Sequence, residues 1–124
     1  MNKELREQLL APYFDGESIG GVQYFHALPL PVLEELVAHK FVERDGWNDC
    51  PGVDAAFLPF MRRNPEFTAH GYAVGWERRD VRTTIEGVEK FGSLSKSELI
   101  DFTKTFNGAD ELNVAENHAR CWYD

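Results

Sequence analysis

Two cysteines, four histidines and one group of arginines are the residues of this chain best suited to chemistry. Cys50 follows Asp49 and precedes Pro51, just ahead of a helical run. A helix N-terminus lowers a thiol's pKa and favours the nucleophilic thiolate. A loop cysteine beside proline is more often a packing residue, and that blander reading is the one the sequence favours. A nucleophilic triad also needs a histidine and an acid within reach. For Cys50 or Cys121 the available partners are His70 and Glu116, which converge only if the C-terminal segment pairs beside the strand carrying His70. His26, His39, His70 and His118 show no metal-ligand spacing and no C-x-x-C pair exists, so neither a metal nor a cofactor is expected. The chain has no G-x-S-x-G elbow, and Gly20-Gly21 lacks the spacing and lysine of a phosphate-cradling loop. No catalytic residue is assigned.

The arginines carry more promise. Arg78 and Arg79 sit in a short polar linker, Arg82 opens the strand that follows, and Arg62 and Arg63 end the preceding helix. Positive charge there complements the helix dipole. Residues 62–82 are the one stretch with more basic than acidic side chains. If the linker folds over that helix end, the guanidinium forks gather and suit a carboxylate or phosphate. The alternative is a solvated turn neutralised by Glu66, Glu77, Asp80 and Glu86, and the sequence favours it. Trp47, Tyr72, Trp76, Trp122 and Tyr123 are the aromatic candidates for an exposed anchor. Tyr72 and Trp76 share one strand face with His70; that face is either core or an open binding surface, and its apolar content favours core. The candidate binding residues are therefore His70, Tyr72, Trp76, Arg78, Arg79 and Arg82.

These residues must be positioned by a small set of elements. Asn2 to Ala11 reads as a short helix with Leu5 and Leu9 on one face, ended or kinked by Pro12. Asp15 to Gly21 reads as a loop by composition, and Val22 to Leu28 is ambiguous. Pro31 to Glu43 predicts a helix with Val32, Leu33, Leu36, Val37 and Phe41 as its apolar stripe and Gly46 as its stop. A second helical run follows Pro51, and Pro59 should kink or split it. Phe67 to Trp76 and Val81 to Lys90 are rich in β-branched and aromatic residues and predict a hairpin. Ala69, Gly71, Ala73 and Gly75 form its flat second face, against which helices can pack closely. Ser95 and Glu98 make a capping box for a helix from Lys96 to Phe106. Residues 119–124 suit a last strand. The expectation is one α+β domain over residues 1–124, with a small three-stranded, mainly antiparallel sheet (hairpin 67–76/81–90 plus the C-terminal strand) and about four helices.

The stretch GYAVGWERRDVRTTIEGV from Gly71 to Val88, followed by a capped helix and an ending of the type ADELNV…RCWYD, resembles a family of short bacterial and archaeal domains of uncharacterised function. The resemblance covers roughly the C-terminal half. It implies a free-standing prokaryotic protein and no particular activity.

Bulk properties bound the function. With 43% hydrophobic and 13% aromatic residues, the 124-residue chain can build a real core. The polar N-terminus is no secretory signal and no stretch is long and apolar enough for a membrane helix, so a cytoplasmic protein with two free thiols is expected. The formal net charge of −8 disfavours general nucleic-acid binding. The leading expectation is a small interaction or accessory protein that binds a protein partner through the arginine and aromatic hairpin, with a homodimer as one form of that. The alternatives are a small hydrolase or ligand-binding enzyme using His70, a cysteine and Glu116, and an acidic inhibitor that mimics nucleic acid.

Overall fold

A computed structural model describes residues 3–46, 50–75 and 77–124 of the chain. Its strands form one six-stranded sheet in the order β1-β2-β3-β4-β6-β5. They are β1 (Phe14–Ile19), β2 (Val22–Leu28), β3 (Thr68–Val74), β4 (Arg82–Phe91), β5 (Glu111–Ala115) and β6 (His118–Trp122), and every neighbouring pair is antiparallel. The helices are α1 (Lys3–Leu10), α2 (Leu30–Ala38), α3 (Leu58–Arg63) and α4 (Lys96–Thr105).

The α+β class and the central hairpin match expectation, but the three-stranded sheet does not. The strands that were not foreseen sit toward the two ends of the sheet. β1 carries Asp15, Gly16, Glu17 and Ser18, a composition that reads as a loop. It becomes a strand because Gly20 and Gly21, at φ 62° and 82°, form the tight turn that folds it onto β2. Two consecutive positive φ values match the right-handed twist of flanking strands. β5 is an edge strand with all five residues exposed, so no buried alternation marks it in the sequence.

The helices lie on one face of this sheet. All four contribute to a single buried cluster whose sheet members include Phe25, Ala69, Ala73, Ile85, Val88, Ala119 and Cys121. Its centre is aromatic. Phe60 packs edge-on to Phe67 and to Phe106 at 4.9 Å, and Phe67 stacks on Phe102 at 5.4 Å. Burying each such ring contributes roughly 1.5–3 kcal/mol. The small Ala69 and Ala73 let helices approach closely, as their spacing predicts.

Local signals are well obeyed around Pro59 and Ser95. Pro59 divides the run after Pro51 into a wide turn at Val53–Phe57 and then α3. Ser95 accepts from the Glu98 amide while the Glu98 carboxylate accepts from the Ser95 amide, which is the expected capping box. In contrast α2 stops at Ala38, short of the predicted Glu43. Lys40 takes a left-handed φ of 61°, Phe41 N–H donates to the Leu36 carbonyl at 2.9 Å, and Lys40 N–H donates to that of Val37. This termination usually uses glycine. Here burial of Phe41 and Val42 holds a lysine in the conformation. The released segment then runs beside β4, where Glu43 N–H donates to the Thr83 carbonyl at 2.9 Å.

Candidate functional site

The face of the sheet turned away from the helices is where polar side chains converge. Two irregularities shape it. In the β3–β4 ladder His70 pairs with Gly87 and Gly71 with Ile85, so Glu86 is an extra residue on β4. Such a bulge re-aims a side chain, and it sets Glu86 beside His70 on the uncovered face. The second lies between Phe25 and Leu28 of β2, where Ala27 has φ 58° and Leu28 returns to the core; just before it, ordinary alternation sets His26 on the same face as Tyr24. Close backbone approach makes glycine necessary at two points. A Cβ on Gly71 would collide with the Thr84 carbonyl. One on Gly87 would collide with the Cys121 carbonyl and lie 2.6 Å from His70 Nε2.

The result is a depression of about 280 Å³ lined by Asp15, Tyr24, His26, His70, Glu86, Glu89, Arg120 and Trp122, with Phe25 and Gly71 completing its wall. Five strands contribute. His70 is buried over Gly87, and its Nε2 lies 2.9 Å from the Cys121 carbonyl oxygen. A carbonyl only accepts, so Nε2 carries the proton and Nδ1 is the free acceptor. Burial, reinforced by the charge of Arg120, pushes the His70 pKa down to about 4, leaving a neutral ring at neutral pH. Burial has the opposite sign for a carboxyl: it raises Glu86 to about 7, with the charge of Asp124 adding to the rise. A hydrogen bond from Trp122 and the charge of Arg120 partly oppose it.

Arg120 is the unusual member. Its cross-strand neighbour is Glu89. The Glu89 carboxylate turns instead to His118, with Oε2 at 2.6 Å from Nε2, and His118 is held by stacking on Phe91 at 4.8 Å. Among the described residues Arg120 therefore has no ion-pair partner. Asp15 and His26, 3.8 Å apart, sit at the mouth, and Tyr24 packs against Tyr72 with ring centroids 6.0 Å apart.

Of the residues singled out in the sequence, His70 and Tyr72 share this face. Their surroundings answer neither simple alternative. Among the described residues no helix covers the face, yet His70 and Val74 are buried among neighbouring strands, Val74 lies outside the main core cluster, and Tyr72 is half-buried. The arginines do not gather. Arg78 is held by Asp80 at 2.8 Å and by the Gly20 carbonyl at 3.0 Å; Arg82 is held by Asp80 at 3.0 Å and by the Tyr72 hydroxyl at 3.2 Å. Arg62 pairs with Glu34 and Arg63 with Asp101, and Arg79 is exposed in the turn. Trp47, Asp49 and Trp76 lie outside the described residues.

Neither thiol meets His70. Cys121 points into the core and Cys50 lies against the Ile85 carbonyl at 3.8 Å. Burial pushes them up to about 12 and about 11, which makes both poor nucleophiles. Glu116 sits exposed in the β5–β6 turn. Among the described residues no group of three His, Cys, Asp or Glu side chains is arranged to hold a metal, and no helix is long and apolar enough to cross a membrane.

Sequence reading missed Glu86, Glu89, Arg120 and Tyr24. One signal was present: Gly87 interrupts an otherwise β-branched strand, and an interior glycine marks a bulge or a close approach. A larger depression of about 380 Å³ lies between Arg6, the segment 40–44 and Arg82. Its arginines are already engaged, Arg6 by Glu7, Arg44 by Asp54 and Arg82 by Asp80. Lys40 and Glu43, of opposite charge, complete its charged lining. No known protein family, curated protein or solved structure matches the chain.

Proposed function

We propose that the chain is a small binding protein that receives a ligand in the depression on the uncovered face of its sheet. The observation that carries this reading is the convergence of polar and aromatic side chains from five strands over His70, around an arginine that has no ion-pair partner among the described residues. Buried polar groups are normally paired with each other; a formed depression that leaves a cation unmatched is suited to a partner from outside. The buried thiols argue for binding rather than cysteine-based hydrolysis. On this reading the protein works in a prokaryotic cytoplasm, where two reduced thiols persist.

The test is a fragment screen followed by amide and side-chain NMR. Binders should move the Trp122 indole, the His70 ring and the Gly87 amide, and Trp122→Ala should abolish the shifts of the His70 ring and the Gly87 amide. Lys104→Glu, on exposed α4 surface, should leave them intact. A diverse library that leaves those three probes unmoved would sink the proposal.

A protein partner is the second reading, favoured by apolar side chains left in solvent. Phe91 is 72% and Ile19 81% exposed, and Leu112 and Val114 stand exposed on the edge strand β5. Such a surface suits a second copy pairing along β5, with the Tyr72, Arg78, Arg79 and Arg82 hairpin as the other contact region. Sedimentation should then give a dimer that Val114→Lys converts to monomer; a monomer at all concentrations removes the second-copy form.

A further inference from the structure

We infer that the depression binds a small, flat monocarboxylic acid, its two oxygens held between the Arg120 guanidinium and the Glu86 carboxyl that line it. This rests on reading the depression as a ligand site, and it names the ligand class.

Glu89 faces Arg120 across the strand pair but bonds to His118 at 2.6 Å, and no ion pair to the guanidinium is found among the described residues. A planar fork with parallel N–H groups matches a carboxylate. Phosphate would fit less well. Among the described residues Arg120 is the one arginine or lysine lining the depression, Asp15 and Glu89 stand around it, and the whole chain is at −8. A dianion there meets more repulsion than attraction, while a monoanion can be matched by one guanidinium.

Glu86 supplies the complement. The groups around it are Arg120 and Trp122 from β6, His70 from β3, Glu89 from its own strand, Tyr24 and His26 from β2, Asp15 from β1, and Asp124 at the chain end. Burial keeps the proton on its carboxyl up to about pH 7. A protonated carboxyl donates its O–H to a ligand carboxylate; an ionised one repels it. The volume, about 280 Å³, sits at the small end for organic ligands, and the rings of Tyr24 and Trp122 offer flat apolar walls.

The experiment compares benzoate with benzamide, which has the same shape and no charge, by NMR titration of the Trp122 indole. At about pH 6 benzoate should bind about tenfold or more tightly than benzamide, as charge-assisted bonds are about twice as strong as neutral ones. Benzoate should weaken about tenfold by about pH 8 as Glu86 ionises, while Glu86→Gln keeps its affinity flat over that range. A slope that persists in Glu86→Gln overturns the assignment to Glu86. Arg120→Gln should lower benzoate to the level of benzamide. Equal binding of the two probes by the wild-type protein overturns the carboxylate inference while leaving the ligand site standing, and it needs no variant to fold. Failure of both probes together with the fragment library overturns the site as well.

Discussion

The His70 ring packs against Gly87, and a side chain at position 87 would collide with it. A Cβ there would come 2.6 Å from Nε2 and collide with the Cys121 carbonyl that Nε2 bonds. The contact joins three strands and forms the floor of the depression. Gly87→Ala should destabilise the fold by about 1–3 kcal/mol, the usual range for overpacking, and should move the His70 ring resonances. Gly108→Ala, with nothing within 4 Å of its new methyl, should change stability by less than about 0.5 kcal/mol. Urea unfolding of both variants checks the pair.

Glu86 makes stability fall as pH rises. Its folded pKa, about 7, lies above the ordinary 4.5. The folded form therefore keeps a proton that the unfolded chain has lost, and the penalty for ionising it develops between those values. Glu86→Gln should gain on the wild type by on the order of 2 kcal/mol between about pH 5 and pH 8. A constant difference between the two unfolding curves would refute the buried, protonated carboxyl.

His70 acts in the other direction. Its folded pKa, about 4, lies below the ordinary 6.5, so the unfolded chain binds the proton first and stability is lost as pH falls through that window. The full loss is on the order of 3 kcal/mol. Between about pH 4.5 and 6.5 the two groups oppose each other, and the wild-type profile should be shallow there. Glu86→Gln uncovers the histidine slope. Proton NMR should show no titration of the His70 ring between about pH 5.5 and 8.

Asp101 ties α3 to α4. It accepts from Arg63 Nε at 2.9 Å and Nη2 at 3.0 Å, from Asn64 Nδ2 at 2.7 Å and from Thr105 Oγ1 at 2.9 Å. The Arg63 hydrogen bonds lead in holding its pKa down to about 2. Asp101→Ala should cost roughly 2 kcal/mol, measured by thermal or urea unfolding near neutral pH. The contribution is present above the ordinary 3.8 and is lost as pH falls toward 2.

Cys50 and Cys121 should be inert in the folded protein. Burial raises both thiols well above neutrality, so Ellman's reagent should label them only at the rate of unfolding. Prompt labelling of either one in native buffer would revive the cysteine-based alternative.

Much of this architecture was legible along the chain because its causes are local. The capping box at Ser95, the division at Pro59 and the β-branched strands around Thr83 act within a few residues of themselves. The edge strands were illegible for the opposite reason. β1 and β5 meet water on most of their surface, so selection for burial leaves no alternation in them, and the Gly20-Gly21 turn looks like any flexible linker until β2 is known to pair back. The end of α2 at Ala38 belongs with these, since a lysine in a left-handed conformation is held by the burial of Phe41.

By itself the sequence determined that this is an acidic α+β chain, with His70 and Tyr72 side by side on one strand face away from the small residues that receive the helices. Tertiary structure decided what that face holds. Whether Glu86 points at His70 depends on one extra residue in the β3–β4 register, and whether Arg120 is free depends on Glu89 choosing His118. Both are settled by the register between paired strands, where a shift of one residue exchanges the two faces of a strand.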